Sequence, residues 1–317
     1  MQVFRTFEEL AKHSQRACLA IGVFDGVHRG HQQVIGQALE DARAADGTAV
    51  VLTFDPHPMR VLQPDKAPLL LTSTEHKLAL IDKLGVDACL LLTFDKPFSR
   101  TPPEQFINAV ARQTNQLQEI CVGTRFRFGH NRAGDVRLME ALAPQYGFVA
   151  KEIHSVMLGK EMISSTAIRQ HVVNGRLDRA AAMLGRSFSI LGTAEPGDRR
   201  GRELGFPTAN LNSHDEVLPP DGVYAARVVF GEEQFGGVVN IGVRPTFTGT
   251  EPRRTLEVHI LDFARDLYGQ NIEVLFLSKL RDEQKFASAD ALKTQIAADV
   301  DAARQILGPQ NPSGKAN

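Results

Sequence analysis

Through the first half of the chain, short continuous apolar runs alternate with stripes of helical period. Ala17 to Val23, Thr48 to Phe54, Ala88 to Phe94 and Glu119 to Gly123 are apolar and strand-like in length, and they predict buried strands. After the first run, Val34, Ile35, Ala38, Leu39 and Ala42 recur at helical spacing, and further helical patterns lie near 75–84, 103–114 and 135–146. Pro102 and Pro103 stand at the start of one of these, where a missing N–H costs nothing. Strands without a polar face that alternate with helices predict right-handed βαβ units, a parallel sheet covered on both faces. Ligands of such sheets bind beyond the carboxyl ends of the strands.

Near Ser187 the pattern changes. Tyr224 to Phe230, Phe235 to Ile241, Leu256 to Phe263 and Ile272 to Leu280 predict strands separated by Gly, Pro and Asp-rich turns, as in an antiparallel sheet or barrel. A last helix, Ala289 to Leu307, carries Leu292, Ile296, Val300 and Ala303 on one stripe and is expected to pack on that barrel, with a frayed tail after Gly308. The boundary is placed at Gly185 to Phe188. This gives domains at 1–186 and 187–307 and a tail at 308–317.

Composition narrows the class. A chain of 317 residues suggests two cores, and its 36 Lys and Arg nearly balance 37 Asp and Glu. No bulk field therefore recruits nucleic acid or an anionic membrane. No signal-peptide core and no run of membrane-spanning length is visible, so a cytoplasmic protein is expected, with small molecules as partners, no nucleic acid and no membrane; an oligomer is compatible with the sequence. Cys18, Cys89 and Cys121 each lie in or beside an apolar run and are expected to be reduced core residues.

The stretch with the most chemistry is Gly22-Val23-Phe24-Asp25-Gly26-Val27-His28-Arg29-Gly30-His31, which spans the end of the first strand and the start of a helix. Helix N–H groups point outward there, the macrodipole favours an anion, and a glycine lets a phosphate approach the backbone. Ile163-Ser164-Ser165-Thr166-Ala167-Ile168-Arg169 opens another helix; its hydroxyls fit an N-cap, or together with Arg169 a second phosphate clamp. Thr208 and Asn210, one residue apart after a Gly-rich basic turn, point the same way in an extended segment. Both oxygens could meet one hard cation, although an Asx or Ser/Thr turn is the simpler reading of the residues alone.

As an ordered set these motifs are specific. GVFDGVHRGH resembles the HxGH signature of the nucleotidyltransferase superfamily, and ISSTAIR resembles its partner motif. With TFDPHP (Thr53 to Pro58), FRFG (Phe126 to Gly129) and GRELGFPTAN (Gly201 to Asn210), the chain resembles the prokaryotic bifunctional riboflavin kinase/FAD synthetase family from about Leu19 to Ala303. The resemblance implies an α/β Rossmann-like nucleotidyltransferase domain, followed by a small antiparallel β-barrel riboflavin kinase domain with a C-terminal helix. It implies ATP, riboflavin, FMN and FAD as substrates and products, and Mg2+ as cofactor. His28, His31 and Arg169 would serve adenylylation. Gly22, Phe24, Gly30, Ser164, Ser165, Thr166, Gly201 and Arg202 would contact ATP or its phosphates. Phe54, Pro56, His57, Pro58 and Phe206 would face the flavin, Thr208 and Asn210 would help hold the metal, and Glu257 would be the catalytic base of the kinase. The chain departs from the family at Arg125, where an Asp or Asn is usual two residues after Val122-Gly123. That leaves the alternative of a riboflavin kinase whose adenylyltransferase domain is weakened or inactive.

Overall fold

The computed structural model describes residues 1–196, 205–213, 215–244, 253–265 and 267–308. By chain packing it divides into two compact units, 1–70 with 74–165, and 71–73 with 166–317.

The first unit is built on β1 (Gln2–Phe4), α1 (Phe7–Ala11), β2 (Cys18–Ile21), α2 (Arg29–Ala44), β3 (Ala49–Asp55), α3 (Pro58–Leu62), α4 (Thr74–Asp82), β4 (Ala88–Thr93), α5 (Pro103–Gln113), β5 (Glu119–Gly123), α6 (Val136–Tyr146), β6 (Val149–Ile153) and a small hairpin, β7 (Met157–Leu158) and β8 (Glu161–Met162). The main sheet runs β1-β4-β3-β2-β5-β6, every pair parallel. Alternate residues of one strand supply two separate cores. Leu19, Ile21, Val50, Leu52, Leu90, Ile120 and Val122 pack on one face, while Ala20, Val51, Cys89 and Cys121 pack on the other. Burial on both faces is why these strands read as unbroken apolar runs.

The chain leaves β2 toward β3 and β4 on one side, then returns to add β5 and β6 on the other. The order reverses between β2 and β5, which makes the carboxyl ends of these two strands the topological switch point. The edge strands β1 and β6 escaped the apolar pattern because they are short and largely half-buried or exposed.

The second unit continues with α7 (Ser165–Val173), whose first residue belongs to the first unit, and α8 (Leu177–Leu184). Then come β9 (Ser189–Pro196), β10 (Ala209–Leu211), β11 (Gly222–Phe230), β12 (Glu233–Arg244), β13 (Arg253–Ile260), β14 (Asn271–Arg281) and α9 (Ala289–Leu307). The six strands close into an antiparallel barrel, β10-β13-β12-β11-β14-β9. Closure needs β9 and β10, which the hydrophobic pattern did not single out. Tyr224, Phe188 and Phe276 are fully buried; Phe276 stacks on Phe188 at 5.9 Å and meets Tyr224 edge-on at 5.6 Å, and the Tyr224 hydroxyl donates to the Pro220 carbonyl.

Helix α9 begins at an N-cap, Ser288, that accepts from Ala291 N–H. Its Ala303 and Val300 pack with Val223, Ala225 and Val238 of the barrel. Its buried Asp299 receives Arg281 Nε and Nη2 at 2.9–3.1 Å and Gln295 Nε2 at 2.9 Å. Losing the carboxylate would leave a largely desolvated guanidinium without its counter-charge. Asp299→Ala should therefore lower stability by about 3 kcal/mol in denaturant unfolding. Asp262→Ala, which breaks the exposed bidentate pair with Arg304, should cost less than about 1 kcal/mol.

Candidate functional site

The first site is built on the exit of β2. Between Gly22 and the start of α2 the backbone takes positive φ at Phe24 (53°), Gly26 (83°) and Val27 (40°). For a phenylalanine and a β-branched valine that conformation costs on the order of 1–3 kcal/mol each and persists only where surroundings over-determine it. Four side chains do so by holding three alternate carbonyls. Lys77 Nζ and Thr53 Oγ1 donate to Val23 O at 3.4 and 3.0 Å, Ser165 Oγ to Asp25 O at 3.0 Å, and Gln32 Nε2 to Val27 O at 2.8 Å. The Phe24 ring is buried and lies against Gly22, where an added Cβ would stand 2.8 Å from it.

His28 is the N-cap of α2, its Nδ1 accepting from His31 N–H at 3.3 Å. An accepting Nδ1 puts the proton of the neutral ring on Nε2, so His28 presents a donor on its far side. This geometry explains Gly30, since a Cβ there would meet the His28 ring at 3.2–3.3 Å. The two imidazoles stack at 3.5 Å and 19°, and Phe24 meets His31 edge-on at 5.3 Å. His31 keeps a partly exposed edge, but its Nδ1 is buried with no hydrogen-bond partner among the described residues. Burial, then the nearby His28 and Lys77, hold its pKa well below the ordinary imidazole range. His31 thus favours its neutral form at rest, and an arriving anion would oppose that preference.

Ser164 precedes α7 and is half-buried, while Thr166 is exposed one residue into the helix and Arg169 lies one turn beyond Ser165 on the same face. The Ser165 hydroxyl hydrogen is already engaged by the β2 loop. Near the end of β3, Phe54 is buried and packs with Phe94 and Phe98 at 5.9 Å. Pro56 is exposed. His57 caps α3 by accepting from Met59 N–H at 3.2 Å, and Pro58 is its first residue. Arg125 is exposed in the turn that Phe126 N–H closes onto Gly123 O, directly after β5 and thus at the switch point.

The second site lies across the barrel. Register puts Asn210 of β10 opposite Glu257 of β13, Glu257 opposite Asn240 of β12, and Asn210 also opposite Glu195 of β9. Directly opposed residues share a face, so these four polar side chains form one row, while the adjacent Val258, Val239 and Ala209 turn the other way into the core. Phe206 meets the His259 ring edge-on at 5.5 Å, and Pro207 O lies 2.8 Å from His259 Nδ1. The PTAN segment is thereby fixed against β13. Thr208 and Asn210 are both half-buried, and Asn210 Oδ1 is a buried oxygen. Gly201 and Arg202 lie outside the described residues, as do Arg199, Arg200, Pro245, Thr246 and Asp266.

Lys77 and His259 were not singled out from sequence. Lys77 had a signal, a lysine on the stripe shared by Leu80 and Ile81. Cys18, Cys89 and Cys121 are buried free thiols, and burial raises the Cys18 and Cys89 pKa to about 11 and about 12. Cys121 lies near Asp41 and Glu119, but there Lys151 Nζ bonds to Asp41 at 2.8 Å and pairs with Glu119, so an ammonium already balances the carboxylates. No helix among the described residues is long and apolar enough to cross a membrane.

The state of His31 makes a testable linkage. Below about pH 6.5 the unfolded chain protonates this imidazole while the folded chain does not. Its contribution is therefore complete above that value, and stability falls with pH below it by at most about 1.4 kcal/mol per unit. His31→Asn should reduce the loss of unfolding free energy between about pH 7.5 and about pH 5.5, measured by denaturant titration.

Both halves match known family models: residues 10–167 match FAD synthetase and residues 184–307 match riboflavin kinase. The bifunctional riboflavin kinase/FMN adenylyltransferase of Escherichia coli (strain K12) is 40% identical over 99% of this chain and 100% of its own length. The Pseudomonas fluorescens protein of the same description is 38% identical over 98% and 99%. A solved structure described as a macrolide-efflux protein from Streptococcus pneumoniae superposes with a TM-score of 0.80 at 29% identity, covering 96% of this chain and 99% of that one. With both domain types present and relatives aligned end to end, the chain belongs to the bifunctional riboflavin kinase/FMN adenylyltransferase family.

Proposed function

We propose that residues 187–307 phosphorylate riboflavin with ATP and that residues 1–186 adenylylate the resulting FMN to FAD. The observation that carries this assignment is that a carboxylate-bearing polar row lies on the barrel while a stacked histidine pair lies at the sheet's switch point. Each suits one of the two reactions. The kinase nucleophile is an alcohol. Its oxygen bonds to the γ-phosphorus of ATP, ADP leaves, and the hydroxyl proton must go to a base; Glu257 is placed to take it. The adenylylation nucleophile is already anionic. An FMN phosphate oxygen bonds to the α-phosphorus of a second ATP and pyrophosphate departs, so donors and positive charge are needed rather than a strong base. His28, His31 and Ser164 supply these. Gly22, Phe24 and Gly30 shape the cradle, and Phe54, Pro56, His57 and Pro58 form the flavin wall.

A divalent metal fits the barrel row. Thr208 offers a hydroxyl and Asn210 a buried amide oxygen, hard donors of the kind Mg2+ takes, with the Glu257 carboxylate opposite. When bound, the ion would offset phosphate charge. Phe206 would face the flavin of the kinase, and Gly201 and Arg202 the ATP phosphates. The exposed Arg125 adds a cation beside the adenylylation cradle; the full-length match to bifunctional relatives favours two working domains over a disabled first one. Buried thiols and use of ATP suit a cytoplasmic enzyme.

A time course of riboflavin with ATP and magnesium, separating FMN, FAD, ADP and pyrophosphate, tests the whole reading. Glu257→Ala should reduce FMN formation by at least about 100-fold and leave FAD formation from supplied FMN unchanged. His28→Ala should do the reverse. Equal loss of both reactions in both variants would refute the division. Arg125→Asn should change the KM for ATP in FAD formation and spare kcat.

A further inference from the structure

Lys77 is buried, and its ammonium is used by neither reaction as described above. It projects from the first turns of α4 into the gap between the ends of β2 and β3. There Nζ donates to Phe54 O at 3.0 Å, Thr53 Oγ1 at 3.2 Å and Val23 O at 3.4 Å. Thr53 Oγ1 in turn donates to Val23 O, so one compact network joins the two strand ends. The helix is sewn to the same place one turn earlier, where Thr74 Oγ1 donates to Asp55 Oδ1 at 2.6 Å. All three acceptors of the ammonium are neutral, an expensive arrangement for a buried charge. A purely structural tie could be made by a neutral donor. Burial lowers the Lys77 pKa, with Cys89, Asp25 and Asp55 acting against it.

The two carbonyls it joins belong to different parts of the proposed reaction. Val23 begins the strained loop that carries the nucleotide cradle, whereas Phe54 begins the flavin wall. On that assignment the distance between them would bear on how closely an FMN phosphate approaches the α-phosphorus of ATP. The positive charge also lies near enough to His31 to favour its neutral form.

Resting on the assignment of adenylylation to this domain, we propose that Lys77 is the positioning residue of adenylyl transfer: its ammonium clamps the Val23 and Phe54 carbonyls, fixing the nucleotide cradle against the flavin wall and setting the field under the histidine pair. A misplacement of about 1 Å at a reacting centre costs about 100-fold in rate, which sets the expected effect.

The test compares wild type, Lys77→Met, Lys77→Arg and Thr53→Val as full-length proteins, with FMN, ATP and magnesium. Lys77→Met should lose about 100-fold in kcat for FAD formation with KM values for FMN and ATP nearly unchanged. Phosphorylation of riboflavin by the same preparation should be unaffected. In NMR titration the His31 imidazole should protonate at higher pH in Lys77→Met than in wild type. Lys77→Arg, which keeps charge and donors, should recover part of the rate. Thr53→Val, which removes one node and keeps the ammonium, should lower kcat more mildly. Wild-type kcat in Lys77→Met or Thr53→Val overturns the proposal. So does a Lys77→Met protein in which kcat, both KM values and the melting temperature deteriorate together, because that is loss of fold. Failure of the wild type itself to make FAD would instead overturn the assignment of function.

Discussion

The loop that leaves β2 depends on a backbone that would not hold its shape alone. Phe24, Gly26 and Val27 turn through left-handed conformations within four residues, and two of the three are residues that disfavour them. What holds the loop is a set of side-chain donors on its carbonyls at Val23, Asp25 and Val27, supplied by Lys77 and Thr53, by Ser165, and by Gln32. These come from α4, β3, the start of α7 and α2, so four separate segments contribute to one local conformation. The reward is geometric. With the loop fixed, His28 can cap α2 through Nδ1 and stack on His31. Gly30 belongs to the same solution, because a side chain there would displace the His28 ring.

The barrel solves a different problem with a different device. Its site depends on strand register rather than backbone strain. Asn210, Glu257 and Asn240 meet because β10, β13 and β12 pair with those residues directly opposed, and a slip of one residue would turn Glu257 into the apolar core. Register is fixed by the apolar rows on either side, Ala209 with Val258 and Val239, then Leu211 with Leu256 and Ile241. The two halves therefore match their chemistry. A phosphoryl transfer to an alcohol needs a carboxylate held in place. Attack by a phosphate needs hydrogen-bond donors and positive charge around the reacting phosphorus rather than a strong base.

Several of these features were legible in the sequence. The apolar runs of β2 to β5 announced a sheet buried on both faces, since no strand there has to show a polar side to water. His28, Gly30 and His31 were readable because their interaction is local, spanning a single helical turn. Edge strands β1 and β6 were not, because half-exposed strands carry mixed residues. Strands β9 and β10 escaped as well, although the barrel cannot close without them.

The sequence by itself thus determined the element types, the two-part plan and the local motifs, because hydrophobic period and short spacing act within a few residues. Tertiary structure decided the reversal of strand order between β2 and β5, the row from Asn210 through Glu257 to Asn240, and the place of Lys77 beneath the cradle. Each of these is a contact between segments far apart in the chain. No local preference encodes such contacts; they arise only when burial of the sheet faces and pairing of the strands are satisfied together.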